Sequence, residues 1–572
     1  MLFVLLHIMR KVFIVILLAM GISVHAQNKD HNLEVAKNLE VFNSIYKHLD
    51  LLYVDTLNAK EVVGNAINGM LRSLDPYTVY YSEDKTNELR TMLTGKYAGI
   101  GSIIRWNSQI SNSVIEEPYE GMPAAEAGLR KGDVILSIDG ESMKGKDNAY
   151  VSDHLRGDAG TTFELKIRRP STGKEMRFKI TRRSIQMPAV PYYGVQQGGI
   201  GYIKLNEFTE NSAKIVRNAF IDMRHQQIKG LILDLRNNVG GSELEAANLV
   251  NLFVPKGVTV VSNRGKLKRA NHDYKTTSEP IDTVIPIVVM VNGNSASAAE
   301  IVTGALQDMD RAVVLGTKTY GKGLVQMPID LPYNCEMKVT TSRYYIPSGR
   351  CIQAINYKHS QGGYTEHVPD SLTHEFRTRS GRIVRDGGGI EPDIKIEPDS
   401  LPNIAFYLQQ ADTTDQMFNY VVDYIKNHPT IAPPSEFEIS DADYEDFKQR
   451  VINSKFTYDR VSEKCLEELV KLAKFEGYYD DAKPEFEALE KKLKHNIAKD
   501  LDFDYNKQKI KEILTSDIIT AYYFQRGAIE NSLRYDKQMK EAIRLLKSPE
   551  EYAATLKPKA EKKQTPEKGD KD

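Results

Sequence analysis

Apolar side chains recur at helical spacing between residues 31 and 95. Val35, Leu39, Phe42, Ile45, Tyr46, Leu49 and Leu52 fall on one face, and Val62, Ala66, Ile67, Met70 and Leu71 on a second. Leu74-Asp75-Pro76 closes this part, because proline disfavours the α region for the residue before it. Both stripes are read as faces packed on a core. From 96 to 184 the chain changes to short β-like runs with glycine turns. These are 99–104, 133–140 and 163–168, with one amphipathic helix at Ala149–Leu155. From 185 to 400 buried-type strands (230–235, 284–291, 312–315) alternate with helical stretches (243–253, 297–307), and 337–345 reads as a further strand. That alternation predicts crossover units on a mostly parallel sheet. Residues 401–555 return to helical stripes, such as Leu466, Leu469, Val470 and Ala473, then Ile510, Ile513, Leu514, Ile518 and Ile519. Beyond Leu556 the chain is rich in Lys, Glu and Pro, without apolar content, and predicts a disordered tail.

The resulting expectation is a multidomain α+β protein. Its parts are a leader at 1–26, helical 27–95, a β-rich module at 96–184, an α/β core at 185–400, helical 401–555 and a tail at 556–572. The leader reads as a secretory signal. Arg10 and Lys11 precede the apolar run Val12–Met20, and Val24-His25-Ala26 offers a cleavage site before Gln27. Met9 is an alternative start, and an uncleaved anchor is the competing reading of the same run. The expected location is therefore exported, best matched by the periplasm. A net charge of −1 gives no global basic field for nucleic acid or an anionic membrane surface. Three cysteines (Cys335, Cys351, Cys465) without CxxC spacing give no zinc site, and no metal or other cofactor is expected. A Cys335–Cys351 disulfide depends on whether the two flank a hairpin.

Candidate chemistry sits at strand ends. Asn292 to Glu300 (NGNSASAAE) follows a buried strand and opens a helix, where free N–H groups and the helix dipole favour a developing oxyanion. Serine is also an ordinary N-cap there. Lys322 lies between Gly321 and Gly323, just past the next strand. A desolvated lysine can serve as a serine's base, and Gln326 can hold the amine. The glycine pair in Asp234 to Gly241 (DLRNNVGG) allows a tight turn with N–H groups available to a reacting carbonyl. His154 and His225 read as structural, with His225 the fallback base.

These segments together resemble the carboxy-terminal processing, or tail-specific, peptidases. The resemblance rests on Ser295-Ala296-Ser297-Ala298-Ala299-Glu300, Gly304 to Asp308 (GALQD), Arg311-Ala312 and Thr319 to Gln326 (TYGKGLVQ). Leu74-Asp75-Pro76, Gly99-Ile100-Gly101, Pro347-Ser348-Gly349-Arg350 and Gly387 to Asp393 (GGGIEPD) add to it. It implies Ser297 as nucleophile, Lys322 as base and Gln326 as its support, with an oxyanion hole from Gly240, its neighbour Gly241, and Ala298. It also implies a crotonase-like core and a PDZ domain at 96–184. Gly99, Ile100 and Gly101 would form its carboxylate loop, and Tyr150, Val151 and Leu155 its side-chain pocket. Val239 stands where the family has Pro or Gly, and Ala299 where Ser is common.

The function so implied is an exported serine endopeptidase acting on protein tails. A non-catalytic PDZ scaffold and a small-ligand binder are the competing readings. Expected partners are proteins with accessible C-terminal tails, an adaptor or activator, and a second copy of the chain. No nucleic acid is expected, and membrane contact only through the leader.

Overall fold

The computed structural model describes residues 30–86, 96–186, 188–356, 366–367, 369–410, 415–494 and 496–558. The leader at 1–26 and all but the first residues of the expected tail lie outside the described residues. Among those described, no helix is long and apolar enough to cross a membrane. The chain divides into two compact units, residues 1–80 and 81–572.

The first unit is helical over 30–52 and again over Ala59–Arg72. Asp75 then organises the turn beyond them, accepting from the Tyr77 and Thr78 N–H groups and from the Thr78 hydroxyl. The expected packing of the first stripe is not met. Val35, Leu39, Phe42, Ile45, Leu49 and Leu52 are each 40–71% exposed. An amphipathic stripe buries only where a second apolar surface faces it, and Ala59–Arg72 itself buries only Leu71.

In the second unit, residues 96–186 form a β module. Strands Ser102–Asn107, Asn112–Pro118, Val134–Ile138, Thr162–Arg168 and Glu175–Thr181 pair antiparallel in that order, with Ser102–Asn107 at one edge. Phe163, Leu165 and Ile167 alternate inward, as a half-buried strand requires. Asp147 caps the helix Asn148–Leu155 through the Tyr150 N–H.

The central sheet runs Tyr192–Gln196, Ile200–Lys204, Gly230–Asp234, Ile287–Val291, Val313–Gly316 and Ile394–Lys395. Its first pair is antiparallel and the rest are parallel. Gly230–Asp234 and Ile287–Val291 are buried at every position. Both faces are covered, which is why these strands read as continuous apolar runs. Helices Ser212–His225, Glu243–Val250 and Ala298–Asp308 pack on one face. The other face, with Ile232, Val288, Met290, Val313 and Leu315, is closed by Met539, Ala542, Leu545 and Leu546 of helix Lys537–Leu546, and by Tyr552. The last helices of the chain are thus part of the sheet's packing, whereas Asn403–Leu408, Gln416–Asn427, Asp441–Asn453 and Asp504–Ser532 share a core of their own.

The β module also packs on that helical core. Phe418 and Val422 meet Val114 and Val134. Arg105 pairs with Asp415 at 2.5 Å and lies 4.8 Å from the Phe418 ring centroid. Two strands make a long hairpin beside the sheet, Leu324–Leu331 with Cys335–Tyr345, and the latter pairs with Thr259–Gly265. All three cysteines are free.

Candidate active site

Three loops at the carboxyl ends of the parallel strands converge. The first leaves Gly230–Asp234. Asp234 is buried, and although burial opposes its charge, Arg236 and Lys204 hold its carboxyl far below the usual range. Arg236 also reaches Asp536, the cap of helix Lys537–Leu546, at 2.6 Å, so the strand end is tied to the chain's last helices. The turn then passes Asn237, Asn238, Val239 and Gly240. Asn237 donates its N–H to Asn292 Oδ1 and accepts from the Asn292 and Asn294 side chains.

The second loop leaves Ile287–Val291. Ser295 is buried, and its hydroxyl donates to the Leu235 carbonyl at 2.8 Å while accepting from the Asn292 N–H. It is a fastener between two strand ends. Ser297 is different: it is part-buried, caps helix Ala298–Asp308 and sits at φ 57°, ψ −117°. A non-glycine residue in such a region stores roughly 1–3 kcal/mol and needs surrounding contacts to hold it.

Glu300 and Tyr344 supply those contacts. Glu300 is fully buried. Its Oε2 accepts from the Ser297 N–H (2.9 Å) and the Lys322 N–H (2.9 Å), and its Oε1 from Thr319 Oγ1 (2.6 Å) and the Gly321 N–H (2.7 Å). Burial pushes its carboxyl up to about 7, against the pull of those four hydrogen bonds. The Tyr344 hydroxyl donates to the Lys322 carbonyl at 2.6 Å and lies 3.3 Å from the Ser297 carbonyl. The backbones of Ser297 and Lys322 are therefore gripped by the same two side chains, one at their N–H groups and one at their carbonyls. The third loop, 317–323, is pressed onto residues 352–354. A Cβ on Gly321, at φ 86°, would stand 2.1 Å from Ala354 Cβ, and the Gly323 N–H donates to Gln353 Oε1.

Gly240 closes the site from the first loop. A Cβ there would lie 2.7 Å from Ser297 Cβ and 3.0 Å from the Ala298 nitrogen. Gly240 and Ala298 thus flank the serine. The Gly240 N–H donates to Asn238 Oδ1 at 2.9 Å in this conformation. Gly241 follows at φ 132°, against Phe208. Gln326 lies on Leu324–Leu331, and its Nε2 donates to Thr340 Oγ1 at 3.2 Å. Because Gly240 has no room for a side chain, Gly240→Ala is expected to destabilise the fold by about 1–3 kcal/mol. A thermal melt will check it, and a variant that melts with the parent would contradict the packing.

A stretch of 343 residues is 36% identical to a carboxy-terminal-processing protease of Bartonella bacilliformis, covering 59% of this chain and 77% of that protein. The chain belongs to the carboxy-terminal-processing protease family. A probable CtpA-like serine protease of Staphylococcus aureus is 34% identical over 56% of this chain and 64% of that protein. Residues 199–359 match the model of peptidase family S41, and 114–169 that of a PDZ domain. Residues 404–546 match "probable PDZ-protease, C-terminal helical domain", and 18–85 "activating protease CtpB N-terminal domain". Among solved structures, a photosystem II D1 C-terminal processing protease is 27% identical over 63% of this chain and 88% of that one, with a TM-score of 0.35. The protein is a serine-type peptidase of this family with a PDZ domain.

The family's other motifs act here as scaffold. Arg350 of the PSGR run is buried on Asp308 (2.8 Å) and Gln307 (2.9 Å). Asp393 of GGGIEPD accepts from the Val314 N–H and from Gln307. The Ile390 N–H donates to Thr319 Oγ1, the hydroxyl that bonds Glu300. In the PDZ domain Gly99 ends the strand Lys96–Gly99, Ile100 is buried, and Gly101 turns at φ 69° into the edge strand. Asn148 of the domain's helix donates to the Ile104 carbonyl on that strand. Val151 and Leu155 are buried in the domain's own core, while Tyr150 is part-buried and stacked on His154. His225 is exposed at the end of its helix.

Sequence reasoning gave no role to Glu300 or Tyr344. Glu300 carried a signal all the same: Ser-x-x-Glu before an apolar run is a capping-box pattern. Tyr344 carried none, since its partner lies 22 residues away across a hairpin.

Proposed function

We propose that this peptidase is an exported endopeptidase that captures a protein's C-terminal tail on its PDZ domain and cuts by a Ser297–Lys322 dyad. The observation that carries the reading is the shared grip of Glu300 and Tyr344 on both residues, which makes their relative position a built feature. A scaffold has no need of it.

In this reading the Lys322 amine takes the Ser297 hydroxyl proton as Oγ bonds to the scissile carbonyl carbon. The oxyanion is received by the Ala298 N–H and by the Gly240 N–H, which exchanges Asn238 Oδ1 for it, with Gly241 shaping the turn. Collapse breaks the C–N bond, and the lysine ammonium returns the proton to the leaving amine. Water, deprotonated by the same amine, then hydrolyses the ester and frees Ser297. Gln326 supports the lysine. The tail lies as an added strand along the open edge Ser102–Asn107. Its carboxylate faces the amides of Gly99, Ile100 and Gly101, and its last side chain faces helix Asn148–Leu155, with Tyr150 at the rim and Val151 and Leu155 beneath. The leader at 1–26 directs export, and partners beyond substrates are an adaptor or a second copy.

Tail capture is tested by amidating the terminal carboxylate of an unfolded protein substrate. Losing a charge-assisted hydrogen-bond set should reduce kcat/KM about tenfold or more, while a short internal peptide is cut at an unchanged rate. Equal rates for the free and amidated tails would sink the PDZ-capture reading.

A further inference from the structure

The turn that carries Gly240 begins at Arg236, and Arg236 is gripped from two directions. Its N–H and its Nε both donate to Asp234 Oδ1 at 3.0 Å, and its Nη2 donates to Asp234 Oδ2 at 2.6 Å. Lys204 Nζ donates to the Arg236 carbonyl at 2.5 Å. The rest of the guanidinium turns toward the far end of the chain. Nη1 pairs with Asp536 Oδ2 at 2.6 Å and donates to Gln538 Oε1 at 3.0 Å.

Both of these partners are themselves fixed. Asp536 caps helix Lys537–Leu546 with its other oxygen, Oδ1, which accepts from the Gln538 and Met539 N–H groups. Gln538 is buried, and its Nε2 donates to the Ile396 carbonyl at 2.7 Å, just past the last strand of the central sheet. The helix is seated on that sheet through Met539, Ala542, Leu545 and Leu546. Its first turn is thus a fixed point, and the Arg236 side chain is an arm from it to the turn. Two cations, Lys204 and Arg236, meet two carboxylates, Asp234 and Asp536. Ion pairs withdrawn from water add little net stability, and their best-attested use is to fix register.

The far end of the same turn touches the nucleophile's loop. The Asn238 carbonyl accepts from the Ala296 N–H at 2.9 Å, one residue before Ser297, and Asn238 Oδ1 holds the Gly240 N–H. A displacement at Arg236 is passed along a few residues of chain to Gly240.

We propose that Asp536 and Gln538 are positioning residues for the oxyanion turn, acting through Arg236. Helix Lys537–Leu546 then sets the direction of the Gly240 N–H as well as closing the sheet. The inference rests on the Ser297–Lys322 reading above.

The test is kcat and KM of the full chain on an unstructured peptide, beside inhibition by a peptide aldehyde of the same sequence. The aldehyde carbon bonds to Ser297 Oγ, the hydroxyl proton passes to the Lys322 amine, and the carbonyl oxygen becomes an oxyanion at the turn. Its affinity therefore follows the oxyanion site, as a transition-state analogue's does. Asp536→Asn keeps a helix cap and loses the charge, and Gln538→Met keeps the volume and loses the acceptor. Each should lower kcat about tenfold and weaken the aldehyde by the same factor, with KM little changed. Arg544→Gln is the control on the same helix. It breaks the pairs with Glu541 and Glu551 and should keep the parent's kcat and aldehyde affinity. Parent-like kcat or aldehyde inhibition in Asp536→Asn overturns the inference, and so does a loss carried by KM. An equal loss in Arg544→Gln also overturns it, since helix stability alone would then account for the effect. If Asp536→Asn fails to fold by circular dichroism, Gln538→Met decides by the same criteria. A Ser297→Ala protein that still cuts overturns the Ser–Lys reading and this inference with it. An inactive Ser297→Ala beside a parent-like Asp536→Asn overturns this inference alone.

Discussion

Ser297→Ala and Lys322→Ala should each reduce cleavage of an unfolded protein with a free apolar C-terminus by a thousandfold or more. Losses on that order are what removal of a nucleophile or its base costs when both act as one unit. For the same reason the double variant should be little worse than either single one. Neither change should disturb the fold. Ser297 is held through its backbone N–H, and Lys322 through its N–H and carbonyl, so the gripping contacts survive truncation of both side chains. The measurement is a timed digestion with mass-spectrometric product mapping, alongside a thermal melt of each variant. Ser295→Ala is the informative control. It removes a buried hydroxyl that fastens Leu235 to Asn292, so its expected cost is in stability, about 1–3 kcal/mol. If Ser295→Ala abolished cleavage in a fully stable protein while Ser297→Ala still cut, the two serines would have to exchange roles.

Replacing Glu300 should have the second largest effect, although Glu300 touches no substrate in the proposed mechanism. Glutamine keeps the shape but turns an NH2 group toward donors that now find a carboxylate oxygen. At least one of the two Oε pairs, Thr319 with Gly321 or Ser297 with Lys322, then loses its acceptor. The strained backbone of Ser297 and the position of Lys322 are released together. A fall in kcat on the order of a hundredfold is expected, because misplacing reacting groups by about an ångström costs that much.

The same residue predicts a pH signature in stability. Its carboxyl is raised from 4.5 to about 7 in the folded chain, so between those two values the folded state binds the proton that the unfolded state has released. The contribution is fully present below pH 4.5 and is lost as pH rises toward 7. The expected loss is about 3 kcal/mol. Urea melts across that window should show the decline in the parent and not in Glu300→Gln. Parallel curves for the two would rule out a raised carboxyl at this position.

The amino-acid sequence by itself determined the local features of this protein. The order of its parts followed from the period of its apolar residues. The apolar runs at 230–235 and 284–291 read as buried-type strands, and the strands Gly230–Asp234 and Ile287–Val291 are covered on both faces. Most expected elements lie within a few residues of their observed bounds, while the run at 99–104 divides at Gly101 between the strands Lys96–Gly99 and Ser102–Asn107. The helix read from 297 is Ala298–Asp308 with Ser297 as its cap, and the strand read from 337 begins at Cys335. Short-range chemistry is legible because neighbours along the chain must meet: the helix cap, the glycine turn, and a lysine between glycines.

What joins those pieces was decided only by the tertiary structure. Glu300 reaches Lys322 across 22 positions, and Tyr344 reaches it across 22 more. No periodicity carries such pairs, since they arise from which strands lie side by side. The same holds for helix Lys537–Leu546, whose stripe looks like any other in the helical region yet covers the protease sheet. It holds equally for the stripe over 30–52, whose period announces a buried face that the described residues leave exposed. An amphipathic pattern states that a side chain prefers an apolar surface; only the packed chain says whether one is there and which one it is.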